Sequence, residues 1–218
     1  MTTPLVIADP KGRNQEELSP LLARVGIHPE KAFFNDSERQ LQFACVDSDM
    51  QLIRVRSFDV ATFVAFGAAQ IGICGSDVLM EFDYGDIYAP LDLKIGKCRL
   101  CVAEPQDMPP QDNLERLSHL RVATKYPNVT RRYFAEQGIQ AECIRLSGAM
   151  ELAPKLGLAP RIVDLVSSGR TLKANGLQEA GTIAEVSSRL IVNRIAFKTR
   201  SAEINTLIER FREAVNAA

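Results

Sequence analysis

The sequence predicts an α/β chain folded as two units on mainly parallel sheets. Three observations lead there. Short apolar runs alternate with helical patterns from Leu5 onward. The composition shifts near Leu91–Gly96 and a second alternation begins. An alternating apolar stretch from Thr182 to Val192 then leads into a last amphipathic helix.

The elements follow in order. Leu5–Ala8 is a short buried-type strand, turned by Pro10-Lys11-Gly12-Arg13. Asn14 with Glu17 three residues on resembles a capping box. The helix it opens carries Leu18, Leu21, Leu22 and Val25 on one face and ends at Gly26. Residues 41–46 and 52–56 read as strands about a polar turn. Asp59 is placed to cap a helix through Val60, Phe63, Val64 and Phe66, stopped by Gly67. Ile71–Cys74 is a buried strand, and a short helix occupies 77–81.

In the second alternation, 99–103, 120–124 and 139–146 read as strands, with helices at 128–137 and 149–156. The final helix sets Ile204, Leu207, Ile208, Phe211 and Val215 on one stripe, which needs a core to cover. The first unit is the expected core. The division is therefore 1–94 with 179–218 as a discontinuous first lobe, and 95–178 as the second. The ligand site is expected in the cleft between lobes.

Composition excludes several classes. With 46% hydrophobic and 24% charged residues the chain reads as an ordinary globular protein. No apolar run reaches the roughly 20 residues of a membrane helix, and Met1-Thr2-Thr3-Pro4 does not open a signal peptide. A net charge of −1 gives no global field for nucleic acid. The five cysteines stand among apolar neighbours, as free thiols in a reducing compartment do, so the cytoplasm is expected. Cys98 and Cys101 have CxxC spacing but no second pair, and no metal site is expected. His28 and His119 are expected on the surface.

The segment with the most chemistry is Arg161-Ile162-Val163-Asp164-Leu165-Val166-Ser167-Ser168-Gly169-Arg170-Thr171-Leu172. A strand, a hydroxyl-and-glycine loop and a helix start make a phosphate cradle, because free N–H groups at a helix N-terminus favour an anion. Ser167, Ser168 and Thr171 add hydroxyl donors, and Gly169 lets the backbone come close. Asp164 upstream could accept from ribose hydroxyls. Phosphate and diol together describe a 5-phosphoribosyl group. The same turn also arises as a plain ST-turn, so other segments must decide.

Those segments are Pro10–Arg13; Ile53–Arg56 with Phe58-Asp59-Val60; Gly67-Ala68-Ala69 with Gly72–Leu79; Lys97–Leu100; Arg121–Asn128; Leu146-Ser147-Gly148 with Glu151–Pro154; and Val163–Gly176. In this order and over nearly the whole chain, they resemble the catalytic subunit of the ATP phosphoribosyltransferase family, the first enzyme of histidine biosynthesis. The length resembles the short form, which lacks a C-terminal regulatory domain. Two residues depart from the pattern: Asp9 stands where an apolar residue is usual, and Gln70 where an acid is common.

The resemblance implies a two-lobed fold of the periplasmic-binding-protein type (type II). It implies attack of N1 of ATP on C1 of phosphoribosyl pyrophosphate, with Mg²⁺ carried by the substrate phosphates. Ser167, Ser168, Gly169, Arg170 and Thr171 would bind the 5-phosphate, and Asp164 with Glu151 the ribose. Lys11, Arg54 and Arg56 would serve catalysis at the pyrophosphate, and Arg13 with Lys11 would bind ATP. In a strand Arg54 and Arg56 share one face, so both could reach one polyanion. The partners implied are a regulatory subunit resembling a histidyl-tRNA synthetase, in a hetero-octamer, and self-association. Two rivals have the same outline: a non-catalytic ligand-binding module, and a phosphoribosyltransferase with another acceptor. The latter class carries two adjacent acids before its loop, whereas Asp164 stands between Val163 and Leu165.

Overall fold

A computed structural model describes residues 3–12, 15–35, 37–46, 48–109 and 117–217. The strands are β1 (Leu5–Lys11), β2 (Gln42–Ala44), β3 (Met50–Arg56), β4 (Ile71–Gly75), β5 (Ile87–Asp92), β6 (Cys98–Pro105), β7 (His119–Thr124), β8 (Gln140–Arg145), β9 (Arg161–Val166), β10 (Leu177–Val186) and β11 (Ser188–Asn193). The helices are α1 (Gln15–Val25), α2 (Ser57–Ala65), α3 (Ser76–Phe82), α4 (Pro127–Ala135), α5 (Leu152–Lys155), α6 (Arg170–Ala174), α7 (Arg194–Thr199) and α8 (Ser201–Asn216), with a 3-10 turn at Lys31–Phe34.

Two units result. One runs to Gly96 and resumes at Ser187; the other is Lys97–Val186. The first holds a sheet of order β2-β3-β1-β4-β11-β5, the second a sheet of order β10-β6-β9-β7-β8. The expected lobe boundary at 178/179 falls inside β10. That strand pairs with β6 from Leu177 to Val186, so residues 179–186 belong to the second unit.

The sheets are mixed rather than mainly parallel. β3-β1-β4 and β9-β7-β8 are parallel, while the remaining pairs are antiparallel. A parallel pair needs a crossover of a dozen or more residues, usually a helix. The chain joins β2 to β3 without a helix, and these two pair antiparallel, while the links from β5 to β6 and from β10 to β11 run from one sheet to the other, so those strands enter their sheets antiparallel to strands distant in sequence.

In the first unit, Leu5, Ile7 and Leu52 of the sheet pack with Leu18, Leu21, Leu22 and Val25 of α1 and Ile204, Leu207, Ile208, Phe211 and Val215 of α8. The opposite face packs Ala8, Cys74 and Ile191 against Val60, Ala61 and Val64 of α2. Gly72 permits that approach, since a Cβ there would lie 2.7 Å from Val64 and 2.8 Å from Val60.

Some local expectations change. α2 starts at Ser57, so Arg56 holds the N-cap position and Asp59 lies in the first turn, where the Asp59 carboxylate still complements the helix dipole. The helix expected over 149–156 is the single turn α5, because Ala149 before it (φ 53) and Gly157 after it (φ 69) are left-handed. The stretch 182–192 breaks at Ser187 into β10 and β11, and α7 precedes the terminal helix. The expected capping residue Asn14 lies outside the described residues.

Candidate active site

In the second unit β7, β8 and β9 run parallel, so their C-terminal ends share one edge. Open sheets bind ligands at that edge, because the loops there are free to vary while the strands hold them in place. The cradle segment lies on it. β9 ends at Val166, residues 167–169 turn, and α6 begins at Arg170. Gly169 takes φ 71 at the helix N-cap, a left-handed conformation that favours glycine. Ser167, Ser168, Arg170 and Thr171 are exposed. Arg170 Nε donates to Ser168 Oγ at 3.2 Å, which ties the loop to its own helix. The helix closes at Gly176, again with positive φ (71).

Asp164 is half-buried, two residues from the strand end. Its Oδ1 accepts from Leu165 N–H at 2.8 Å. Glu151 is half-buried at the start of α5, after β8. Thr124 fastens this edge from below. It is fully buried, donates to Val163 O at 2.9 Å, and accepts from Tyr126 N–H at 2.9 Å. One hydroxyl thus pins the end of β7 to β9 and to the start of α4.

The corresponding edge of the first unit carries basic residues. β1 and β3 are parallel and in register, Asp9 opposite Arg54 and Lys11 opposite Arg56. Neighbouring strands lie about 4.8 Å apart, so Lys11 and Arg56, both exposed, sit side by side. Arg54 does not join them. It is 2% exposed, and it donates to Phe33 O (3.0 Å), Asn35 O (3.2 Å) and Glu38 O (2.9 Å). Its guanidinium also lies 5.1 Å from the Phe43 ring centroid. Sharing a face with Arg56 does not free it, because its donors are taken up by the carbonyls of Phe33, Asn35 and Glu38. The catalytic role expected for Arg54 is therefore replaced by a structural one. Arg13 lies outside the described residues.

Asp9 is 1% exposed, and neither carboxylate oxygen has a hydrogen-bond partner among the described residues. Burial pushes its carboxyl up to about 7, against the pull of Arg54. Gln70, the other departure, accepts from Val6 N–H at 2.8 Å, where a neutral amide does the work of an acceptor.

One group of residues was not assigned to the site from sequence. Glu179 of β10 accepts from Arg99 Nη2 at 2.8 Å and Nε at 3.4 Å, and from Cys101 Sγ at 3.3 Å. Its Oε1 would lie 3.6 Å from a Cβ on Gly169, so it stands against the loop. Arg99 lies in the Lys97–Leu100 segment that carries part of the resemblance; nothing in the local pattern marks Glu179.

The sequence model of the HisG family, ATP phosphoribosyltransferase, matches residues 56–213. The chain belongs to that family. The ATP phosphoribosyltransferase of Rhizorhabdus wittichii is 65% identical over 215 residues, which cover 99% of this chain and 97% of the relative. Among solved structures, the ATP phosphoribosyl transferase (HisG:HisZ) complex of Thermotoga maritima superposes with a TM-score of 0.82 at 32% identity, covering 98% of this chain and all of that one. The periplasmic aliphatic sulphonate binding protein SsuA of Escherichia coli superposes at 0.61 with 13% identity, over 99% of this chain and 73% of its own. That likeness concerns the fold alone: two α/β units of the periplasmic-binding-protein type. Within the family match lie Arg56, Glu151, Asp164 and the Ser167–Thr171 loop, while Lys11 precedes it.

Among the described residues no three or more His, Cys, Asp or Glu side chains form a group that could hold a metal ion. No helix among them is long and apolar enough to cross a membrane.

Proposed function

We propose that the chain transfers the 5-phosphoribosyl group of phosphoribosyl pyrophosphate to N1 of ATP, giving N1-(5-phosphoribosyl)-ATP and pyrophosphate, the first step of L-histidine biosynthesis. The observation that carries the reading is the exposed Ser167–Thr171 loop at the end of β9, with Asp164 just upstream, inside the span matched by the family.

The roles follow from chemistry. The Ser167, Ser168 and Thr171 hydroxyls and the loop N–H groups donate to the 5-phosphate, and Arg170 adds charge. Asp164, with Glu151, accepts from the ribose hydroxyls. As the bond from C1 to pyrophosphate lengthens, positive charge grows on the ribose and negative charge on the leaving group. The ring nitrogen N1 of ATP has its own lone pair, so attack needs no strong base. Catalysis then rests on positioning and on stabilising pyrophosphate. Lys11 and Arg56, side by side and exposed, are the cations for that task, and Lys11 with Arg13 also for the ATP phosphates. Mg²⁺ enters with the substrate phosphates, whose charge it neutralises.

The Thermotoga maritima relative is a HisG:HisZ complex. By extension this chain works with a HisZ-type regulatory subunit resembling a histidyl-tRNA synthetase, in a hetero-octamer, and associates with itself. Its five free cysteines suit the reducing cytoplasm.

The test is direct. Mix the chain with ATP, phosphoribosyl pyrophosphate and Mg²⁺, alone and with the regulatory subunit, and follow pyrophosphate release and the absorbance of the adduct. Release that requires both substrates is expected. No turnover in either mixture would overturn the reading.

A further inference from the structure

The path of β10 is irregular in a way that bears on the loop. Against β6, Glu179 pairs with Ala103, Gly181 with Val102, Thr182 with Cys101, Ala184 with Leu100 and Glu185 with Arg99. Ala180 and Ile183 are thus extra residues, two bulges in one strand. In a regular strand positions 179 and 182 would face opposite sides of the sheet. The bulges put Glu179, Thr182 and Glu185 on one face, the face of Arg99, Cys101 and Ala103. The Cys101 thiol reports this, lying 3.3 Å from Glu179 Oε2 and 3.8 Å from Thr182 Oγ1. Bulges beside active sites commonly re-aim a side chain.

The re-aimed side chain is Glu179. Arg99 lies directly opposite Glu185, yet its guanidinium reaches past that residue to Glu179. Both Glu179 oxygens are occupied, Oε1 by Arg99 Nη2 and Oε2 by Arg99 Nε and the Cys101 thiol. The hydrogen bond from Arg99 holds the carboxyl below its ordinary value, so it is ionised at neutral pH. Nε and Nη2 are the Arg99 donors to Glu179, which leaves the Nη1 edge of the guanidinium turned away from that carboxylate. On the neighbouring strand Cys101 is in register with Asp164 and Arg99 with Val166, the last residue before the loop.

We propose that Glu179 is a positioning residue for phosphoribosyl pyrophosphate: it stands against Gly169 and fixes Arg99 across Cys101, so that the guanidinium edge turned away from Glu179 flanks the phosphate in the Ser167–Thr171 loop. This rests on the loop being the 5-phosphate site. A bare carboxylate so close would repel the phosphate, and Arg99 both cancels that charge and supplies donors. Glu179 in turn keeps a long, flexible side chain in one geometry.

The experiment measures KM for each substrate in Glu179→Ala, Glu179→Gln, Arg99→Gln and the Arg99→Gln/Glu179→Gln double variant, with Thr171→Val as a probe of the loop. Thermal unfolding checks that each is folded; Glu179→Gln keeps the shape if the alanine variant is not. The expected result is a rise of tenfold or more in KM for phosphoribosyl pyrophosphate in Glu179→Ala and Glu179→Gln, with KM for ATP within twofold. Arg99→Gln should be the weakest, because it leaves Glu179 uncompensated, and the double variant should recover affinity several-fold over it. A purely structural pair would recover in the unfolding midpoint, without a recovery confined to KM for phosphoribosyl pyrophosphate. Unchanged KM in the Glu179 variants beside a raised KM in Thr171→Val would overturn this inference and leave the loop reading standing, as would a double variant no better than Arg99→Gln. Unchanged KM in Thr171→Val as well would remove both.

Discussion

Replacing Asp9 by Asn should make the protein more stable, and by an amount that grows with pH. Asp9 sits at the end of β1, 1% exposed, opposite Arg54 in the sheet, with both oxygens lacking hydrogen bonds among the described residues. Burial raises its carboxyl from 3.8 to about 7, and Arg54 offsets only part of that. The sign follows from proton counting. Between these two values the folded state holds a proton that the unfolded state has released, so stability falls as pH rises. The penalty is absent below about pH 4 and complete above about pH 7. Roughly three pKa units at about 1.4 kcal/mol each give a penalty of about 4 kcal/mol. Asn resembles the protonated acid in size and charge and carries no such dependence. Urea unfolding at pH 5 and pH 8, on wild type and Asp9→Asn, isolates the term, because every other titration is common to both. The stability advantage of the variant should be roughly 3 kcal/mol larger at pH 8 than at pH 5. A constant difference across that range would mean that Asp9 titrates normally and that the account of its burial is wrong.

Three more outcomes are expected. Arg161 is 1% exposed and pairs through Nε with Glu104 at 2.8 Å; Glu104→Ala should cost about 1.5–3 kcal/mol in urea unfolding, the usual worth of a hydrogen bond to a charged group. Gly169→Ala forces a left-handed φ of 71 on a residue with a Cβ, which should cost about 1–2 kcal/mol and raise KM for phosphoribosyl pyrophosphate, both readable in one preparation. Arg54→Met and Arg56→Ala should separate by assay: the first lowers the unfolding midpoint, since it strips donors from three carbonyls, and the second lowers the single-turnover rate at an unchanged midpoint.

Much of the fold was legible because periodicity reports burial. The stripe from Ile204 to Val215 and that from Leu18 to Val25 both face the first core. The hydroxyl loop after β9 was legible because a strand, Ser-Ser-Gly and a helix start form a local pattern. What escaped depended on distant residues. β5 has no strand pattern of its own, and it becomes a strand only by pairing with β11, about a hundred residues on. Arg54 looked like Arg56 because strand alternation fixes the face and not what lies over it. The carbonyls of Phe33, Asn35 and Glu38 that hold it lie 16 to 21 residues away in sequence and have no local signature. Glu179 escaped for a related reason: two bulges undo the alternation by which a side chain's face is read.

The account divides the substrate between two sets of residues, ribosyl phosphate to Asp164 and the 167–171 loop, pyrophosphate to Lys11 and Arg56. Calorimetric titration of ribose 5-phosphate and of magnesium pyrophosphate into wild type, Asp164→Ala and Arg56→Ala tests that division. Hydrogen bonds to a charged group are worth about 1.5–3 kcal/mol, so each variant should lose roughly 10- to 100-fold in affinity for its own ligand. Asp164→Ala should weaken ribose 5-phosphate and leave pyrophosphate within twofold, and Arg56→Ala the reverse. Equal losses for both ligands in either variant, or no loss in Asp164→Ala, would contradict the assignment.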